Sequence, residues 1–226
     1  MNGSGRAPEL LVFDVNETLS DMSPLAGLFA QVGAVPELAR AWFAGLLRDG
    51  FALTVHGANP VFAEIARELL RQTLAGTTLD RDLEDAADHI MRGLPELQCH
   101  PDVVPGIRAL AEQDIRLVTL SNGATSVAET LLAGAGIRDQ FERLLSVEDA
   151  PTWKPDARAY VHALDQCQVE PTDAMLVAAH PWDTDGARRA GLSAAWVNRG
   201  SVRYPAHFLA PDVEVASLVD LAAAFG

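Results

Sequence analysis

The chain has little cysteine, little positive charge and no long apolar run. Cys99 and Cys167 are its two cysteines among 226 residues, with no CxxC spacing and no clustered histidines. That pattern indicates neither a disulfide framework nor a zinc site, and core packing is the expected role of both. Lysine and arginine total 17 against 31 aspartates and glutamates, a formal net charge of −14. The basic residues nowhere cluster, which argues against nucleic acid or an anionic membrane surface as a partner. A small anionic substrate stays compatible, because distant charges are screened within about 8 Å at physiological salt and one or two basic residues in a pocket decide what binds. No apolar stretch approaches the roughly 20 residues that cross a bilayer. The start lacks a charged-then-apolar signal pattern, so a cytoplasmic location is expected. No internal repeat or low-complexity stretch occurs, and residues 3 to 8 read as a loose end.

What is present is a soluble core. With 49% hydrophobic residues, the chain can bury the interior of one domain with an insertion, or of two small ones. Apolar, strand-like runs recur at Leu10 to Val15, Ile115 to Leu120, Leu144 to Val147, Ala174 to Ala179 and Ala194 to Val197, separated by helix-length segments. This alternation predicts an α/β fold, a Rossmann-like doubly wound parallel sheet with helices on both faces. One gap is far too long for a crossover helix. Residues 20 to 98 carry 3.6-residue periodicity, with helix candidates at Ser23 to Val32, Pro36 to Asp49, Pro60 to Ala75 and Asp80 to Gly93. They are expected to form a helical cap inserted after the first strand, with residues 1 to 19 and 99 to 226 as the core. A cap over the strand edge would exclude water from a charged nucleophile.

Four segments carry candidate chemistry, each where a strand runs into a loop, the edge at which open α/β sheets bind ligands. The first ends Phe13-Asp14-Val15-Asn16-Glu17-Thr18, placing Asp14 where a carboxylate can act as a nucleophile. Aspartate also caps helices, so this motif alone leaves both readings open. The second, Leu120-Ser121-Asn122-Gly123, suits either anion binding or a plain N-cap. In the third, Trp153-Lys154-Pro155-Asp156, Pro155 is expected to start a helix, with Lys154 just before it able to keep a carboxylate ionised. In the fourth, strand residues lead into His180-Pro181-Trp182-Asp183-Thr184-Asp185-Gly186-Ala187. Here Asp183 is a site candidate or a cap, Asp185 reads as a solvated first-turn acid, and the Gly-Ala pair suits close helix packing.

In this order, Asp14 with Thr18, Ser121-Asn122, Lys154-Pro155 and Asp183 resemble the haloacid dehalogenase superfamily over nearly the whole chain. The likeness is nearest to type II L-2-haloacid dehalogenases, whose Lys-Pro-Asp-x-Arg-x-Tyr run is matched from Lys154 to Tyr160. The resemblance implies hydrolytic dehalogenation of small (S)-2-haloacids to 2-hydroxy acids through an Asp14 ester, with no cofactor and no metal. It assigns catalysis to Asp14, Lys154, Asp183, Thr18 and Ser121. Substrate or halide contacts go to Asn122, Tyr160, Trp182, Asn16, Phe43 and His180. It further suggests a homodimer acting on a small 2-halocarboxylate.

The superfamily's phosphatases use a second aspartate two residues after the nucleophile and an acidic Mg²⁺ ligand four positions before the Asp183 equivalent. Here these slots hold Asn16 and Ala179. The dehalogenases themselves carry an arginine beside a tryptophan on the first cap helix; next to Trp42 this chain has Phe43. Their Ser-Ser-Asn-Ala run is replaced by Ala178-Ala179-His180-Pro181. A hydrolase of another small carboxylate, of the azetidine-2-carboxylate type, is therefore an alternative. A Mg²⁺-dependent phosphatase and a catalytically silent binder are two more.

Overall fold

The computed structural model describes residues 7–226. Of the loose end expected at residues 3 to 8, residues 3 to 6 lie outside the described part. The chain divides into two compact units, one of residues up to Ser20 and from Gln98 to Gly226, the other Asp21–Leu97.

The larger unit is built on β1 (Leu10–Phe13), α5 (Val103–Ala111), β2 (Arg116–Ser121), α6 (Thr125–Gly134) and β3 (Arg143–Ser146). It continues with α7 (Ala157–Cys167), β4 (Ala174–Ala178), α8 (Pro181–Arg189), β5 (Ser193–Val197), β6 (Val213–Val215) and α9 (Leu218–Phe225). All six strands are parallel, in the order β3-β2-β1-β4-β5-β6. Strands β1, β4 and β5 are buried on both faces, which is why they read as continuous apolar runs rather than alternating ones. Leu11, Phe13, Met175, Val177, Ala195 and Val197 share one face. They pack on Ile107 and Leu110 of α5, Leu131 and Leu132 of α6, and Leu218 and Leu221 of α9. The sixth strand was not expected from the sequence: Val213–Val215 is three residues at the sheet's edge, half-exposed and too short to show a period.

The order reverses between β1 and β4, so the crevice past their carboxyl ends is the switch point at which such sheets bind ligands. Register carries Asp14 there: Phe13 aligns with Thr119 and Val177, and the Asp14 amide donates to the Val177 carbonyl at 3.0 Å.

The smaller unit consists of α1 (Leu25–Ala30), α2 (Leu38–Val55), α3 (Phe62–Leu74) and α4 (Leu83–Gly93). Trp42 on α2 is fully buried and its indole N–H donates to the Ala66 carbonyl of α3 at 2.9 Å. Helices α3 and α4 are laced on their outer faces by Arg71 to Glu84 at 2.8 Å and by an Arg67–Asp88 pair. Asp82 caps α4 by accepting from the Asp85 amide.

Two local expectations are corrected. Helix α7 starts at Ala157, capped by the Asp156 side chain on the Arg158 amide, and Pro155 precedes it in a cis peptide with Lys154. Asp185 is not a solvated acid. It is buried, accepts from the Leu209 amide at 2.8 Å and pairs with Arg189 at 2.8 Å, tying α8 to the segment that follows β5.

Helix α8 starts at Pro181 rather than at Gly186-Ala187, but that pair does pack closely. A Cβ on Gly186 would stand 2.6 Å from the Tyr160 hydroxyl and 2.7 Å from Pro155 Cβ. Gly186→Ala is expected to lower stability by roughly 1–3 kcal/mol, the usual penalty for overpacking. A urea midpoint unchanged from wild type would show that α7 and the Pro155 segment can yield.

Candidate active site

The hydrogen-bonded set around Lys154 belongs to the larger unit and comes from the segments that follow four of its strands, loops and the helices they lead into. Asp14 follows β1, Asn122 follows β2, Lys154 follows β3, and His180 and Asp183 follow β4. The Lys154 ammonium is completely buried and lies between two carboxylates, 2.9 Å from Asp14 Oδ1 and 2.7 Å from Asp183 Oδ2. An isolated buried ammonium is very costly, so two anionic partners are what the position requires.

The surrounding bonds fix this set. Asn122 Oδ1 accepts from the Lys154 amide at 3.0 Å, and its Nδ2 donates to the Lys154 carbonyl at 3.2 Å, clamping the lysine's backbone. The buried Tyr160 hydroxyl donates to Asp183 Oδ1 at 2.5 Å. Thr18 Oγ1 donates to Asp14 Oδ2 at 2.7 Å and accepts from the Ala179 amide at 2.9 Å, so one hydroxyl joins the loops after β1 and β4. The Ala179 carbonyl in turn accepts from the Trp196 indole of β5 at 2.9 Å.

His180 stands on the other side of the nucleophile candidate. Its Nδ1 is 3.2 Å from Asp14 Oδ2 and its Nε2 is 2.8 Å from Glu17 Oε2. Its ring stacks on Trp182 at 5.1 Å between centroids, and Lys154 Nζ lies 6.0 Å from the Trp182 ring. Glu17 holds a left-handed backbone, φ 60°, unusual for a side-chain-bearing residue. The His100 ring donates to its carbonyl at 3.1 Å. Arg199 donates twice to the next carbonyl, that of Thr18, and is itself paired with Asp102 at 2.9 Å.

These contacts set the charges. Burial alone would raise the Asp14 pKa, but Lys154, His180 and Thr18 outweigh it and hold the carboxyl well below its ordinary range. Burial disfavours the Lys154 ammonium, yet Asp14 and Asp183 hold its pKa above the usual value. Burial, with Asp14 nearby, pushes Asp183 up against the opposing pull of Lys154. Burial and Asp183 push Tyr160 well up, so it stays a phenol and a donor. Burial opposes charge on His180, but its bonds to Asp14 and Glu17 prevail and raise it to about 9.

The sequence candidates therefore divide. Asp14, Thr18, Lys154, Tyr160, His180 and Asp183 form one hydrogen-bonded set, with Trp182 against it. Ser121 and Asn122, expected at nucleophile and halide, are engaged differently: the Ser121 hydroxyl accepts from the Gly123 amide at 2.9 Å, and Asn122 holds the Lys154 backbone. Asn16 lies in the loop after Asp14, in a backbone bridge with Ser20. Phe43 is in the smaller unit, buried on α2 with its ring 6.4 Å from that of Trp42. Glu17 was missed. An acid beside a turn threonine carries no signal of its own; the clue was His180, since a buried imidazole in a neighbouring loop needs an acceptor.

A divalent cation does not fit beside Asp14. Both carboxylate oxygens already accept from Lys154, Thr18 and His180, two of these donors are cations, and Ala179 offers no ligating side chain. Among the described residues no group of three or more His, Cys, Asp or Glu side chains is arranged to hold a metal. No helix among them is long and apolar enough to cross a membrane.

Fold and site together define a Rossmann-like α/β protein with a buried carboxylate–lysine–carboxylate set at the switch point of its sheet. The model for haloacid dehalogenase-like hydrolases matches residues 8–191, and the chain belongs to that family. Haloacetate dehalogenase H-2 of Moraxella sp. (strain B) is 27% identical over 92% of this chain and 93% of its own length. The (S)-2-haloacid dehalogenase of Pseudomonas sp. (strain YL) is 28% identical, over 92% and 90%. Among solved structures, L-2-haloacid dehalogenase from Xanthobacter autotrophicus superposes with a TM-score of 0.85 at 26% identity, covering 96% of this chain and 97% of that one. A defluorinating L-2-haloacid dehalogenase gives 0.79 at 26% identity, over 96% and 97%.

Because the folded His180 pKa is raised above its unfolded value of about 6.5, its contribution to stability is full below that value and disappears as pH climbs through about 9. The difference in unfolding free energy between wild type and His180→Asn should be on the order of 3 kcal/mol at pH 6 and shrink steadily to pH 9.5. An NMR titration of the imidazole near the ordinary histidine value would overturn this.

Proposed function

We propose that the protein hydrolyses small 2-halocarboxylates of the (S) series to 2-hydroxy acids, without a metal, through an ester on Asp14. The observation that carries this reading is the Lys154 ammonium held at 2.9 Å from Asp14 and 2.7 Å from Asp183. That pairing keeps Asp14 ionised in a buried site, which is what a carboxylate nucleophile needs. The relatives named for haloacetate and (S)-2-haloacids support the substrate class.

In the first step an Asp14 oxygen attacks C2 of the haloacid, the carbon–halogen bond breaks with its electron pair, and halide departs. Displacement of halide develops no charge on a phosphate-like group that would call for a divalent cation, whereas phosphoryl transfer does. In the second step water adds at Asp14 Cγ and gives its proton to Asp183. The bond from Cγ to the ester oxygen then breaks and frees the 2-hydroxy acid. Lys154, between the two carboxylates, passes a proton to the departing oxygen and recovers one from Asp183.

Tyr160 and Asn122 are positioning residues in this scheme, the first for Asp183 and the second for Lys154. Thr18 orients Asp14. Trp182, beside both cations, is assigned to the halide, and Ser121 and Asn16 to the substrate side.

Halide release from L- and D-2-chloropropionate, bromoacetate and fluoroacetate, with chelator in excess, tests the proposal. Wild type should release halide from the L substrate, and Asp14→Asn should lose at least about a thousandfold of that rate, as expected for removal of a nucleophile. No halide from any of the four acids, or release abolished by chelator, would sink it.

A further inference from the structure

The loop that carries Asp14 and the one that leads to Asp183 are both anchored on a third, the end of β5 and the segment after it. Trp196 is buried near the end of β5, and its indole N–H donates to the Ala179 carbonyl at 2.9 Å. Just beyond, Arg199 donates to the Thr18 carbonyl from Nε at 3.1 Å and from Nη2 at 2.7 Å, while its Nη1 pairs with Asp102 at 2.9 Å. Ala179 and Thr18 are themselves in contact, through the Ala179 amide on Thr18 Oγ1 at 2.9 Å. Both ends of that contact are therefore tied to the same neighbouring segment.

Tyr204 extends the anchoring to the first turn of α8. Its ring stands edge-on to Trp196, with centroids 4.9 Å apart and planes at 75°. With its proton on the Leu209 carbonyl at 3.0 Å, its hydroxyl accepts from the buried Thr184 hydroxyl at 2.9 Å. Turned round, it donates to Thr184, whose own proton goes to the Pro181 carbonyl at 3.0 Å. Either arrangement joins Tyr204 to the residue that directly follows Asp183. Burial and Asp185 raise the Tyr204 pKa against the pull of Thr184, so the group remains a phenol. Asp185, one residue further, accepts from the Leu209 amide at 2.8 Å.

An ammonium does not set the geometry around it. Lysine presents a compact charge with three rotatable donors on a flexible stem, so Lys154 attracts Asp14 and Asp183 without dictating where either stands. The two carboxylates meanwhile repel each other across it. What holds them is where their backbones are tied. We propose that Trp196 and Tyr204 are positioning residues that fix how far apart Asp14 and Asp183 stand on either side of Lys154. Trp196 acts on Asp14 through Ala179 and Thr18, with Arg199 holding the Thr18 carbonyl, and Tyr204 acts on Asp183 through Thr184 and the α8 turn.

The consequence for rate rests on the reaction of the preceding subsection. There the water must reach Asp14 Cγ while its proton reaches Asp183, so the separation of the two side chains decides whether one water can serve both. A misplacement of about 1 Å, caused far from the reacting atoms, can cost about a hundredfold in rate. Neither Trp196 nor Tyr204 takes part in the chemistry; each works through other groups.

The test uses Tyr204→Phe, which keeps the ring against Trp196 and opens no space, and Trp196→Phe, which removes the indole donor. The titratable groups facing Asp183 are Lys154, Asp14 and Tyr160; burial and Asp14 push its pKa up, and Lys154 and Tyr160 pull it down. With burial unchanged in Tyr204→Phe, a looser hold on Lys154 moves the Asp183 titration to higher pH, read from its carboxyl carbon by NMR. The acid limb of the kcat profile should move the same way, and kcat should fall about tenfold in each variant, a fraction of the loss from a full 1 Å displacement. Thr184→Val combined with Tyr204→Phe should cost no more than the worse of the two alone, because they break one contact. A lower urea midpoint with the Asp183 titration and the acid limb both as in wild type would make the segment a structural brace only and overturn the assignment. The NMR measurement needs no substrate. If wild type releases no halide from any of the four acids while the titration still moves in both variants, the proposed reaction falls and the positioning role stands.

Discussion

A lysine with no exposure to water, held between two aspartates, is the constraint around which the rest of this protein is arranged. Its charge is tolerable in the interior because Asp14 and Asp183 flank it, and each of those is tolerable because the lysine is there. Removing one member leaves a buried charge without compensation. Asp14 and Lys154 come from the loops after β1 and β3 and Asp183 from the first turn of α8 after β4, so their meeting depends on the parallel order and register of the sheet. Around them sits a ring of groups whose work is orientation: Asn122 on the lysine's backbone, Tyr160 on Asp183, and Thr18 between Asp14 and Ala179.

The fold was largely legible because it rests on features that a sequence displays directly. Strands buried on both faces appear as apolar runs, and Leu10–Phe13, Ala174–Ala178 and Ser193–Val197 were all found within a residue or two. The helical stretch between the first two strands announced itself by period and length. Val213–Val215 escaped notice because a three-residue edge strand with half-exposed side chains differs little from a loop. The start of α7 was misjudged because proline marks helix entry only approximately; here Asp156 caps and Pro155 belongs to the preceding turn.

The site was legible as a list and less so as a geometry. That Asp14, Lys154 and Asp183 lie at strand ends follows from the apolar runs before them. Which way the side chains of those loops point does not, since a turn of two or three residues can aim a side chain at the crevice or back at the chain. Ser121 and Asn122 are examples, both engaged by nearby backbone. Glu17 is the reverse: its left-handed backbone aims a carboxylate at His180, and no local pattern in Val-Asn-Glu-Thr signals that conformation. The replacement of the family's asparagine by His180 goes with Glu17, which meets the ring at Nε2 while Asp14 meets it at Nδ1.

Ser20 forms a backbone bridge with Asn16 and another, antiparallel, with Cys99. The chain thus leaves the sheet-bearing unit and re-enters it at neighbouring points, a few residues past Asp14. A segment whose two ends emerge side by side can be lengthened, replaced or borrowed from another gene without disturbing the strands on either side. Natural selection could therefore revise the helical unit, as a tool holder accepts new bits, without disturbing the bonds that join Asp14, Lys154 and Asp183. Seventy-seven residues, Asp21–Leu97, are open to such exchange. The departures from the family at Phe43 and at Ala178 to Pro181 fall one in each unit, so each unit can change without the other.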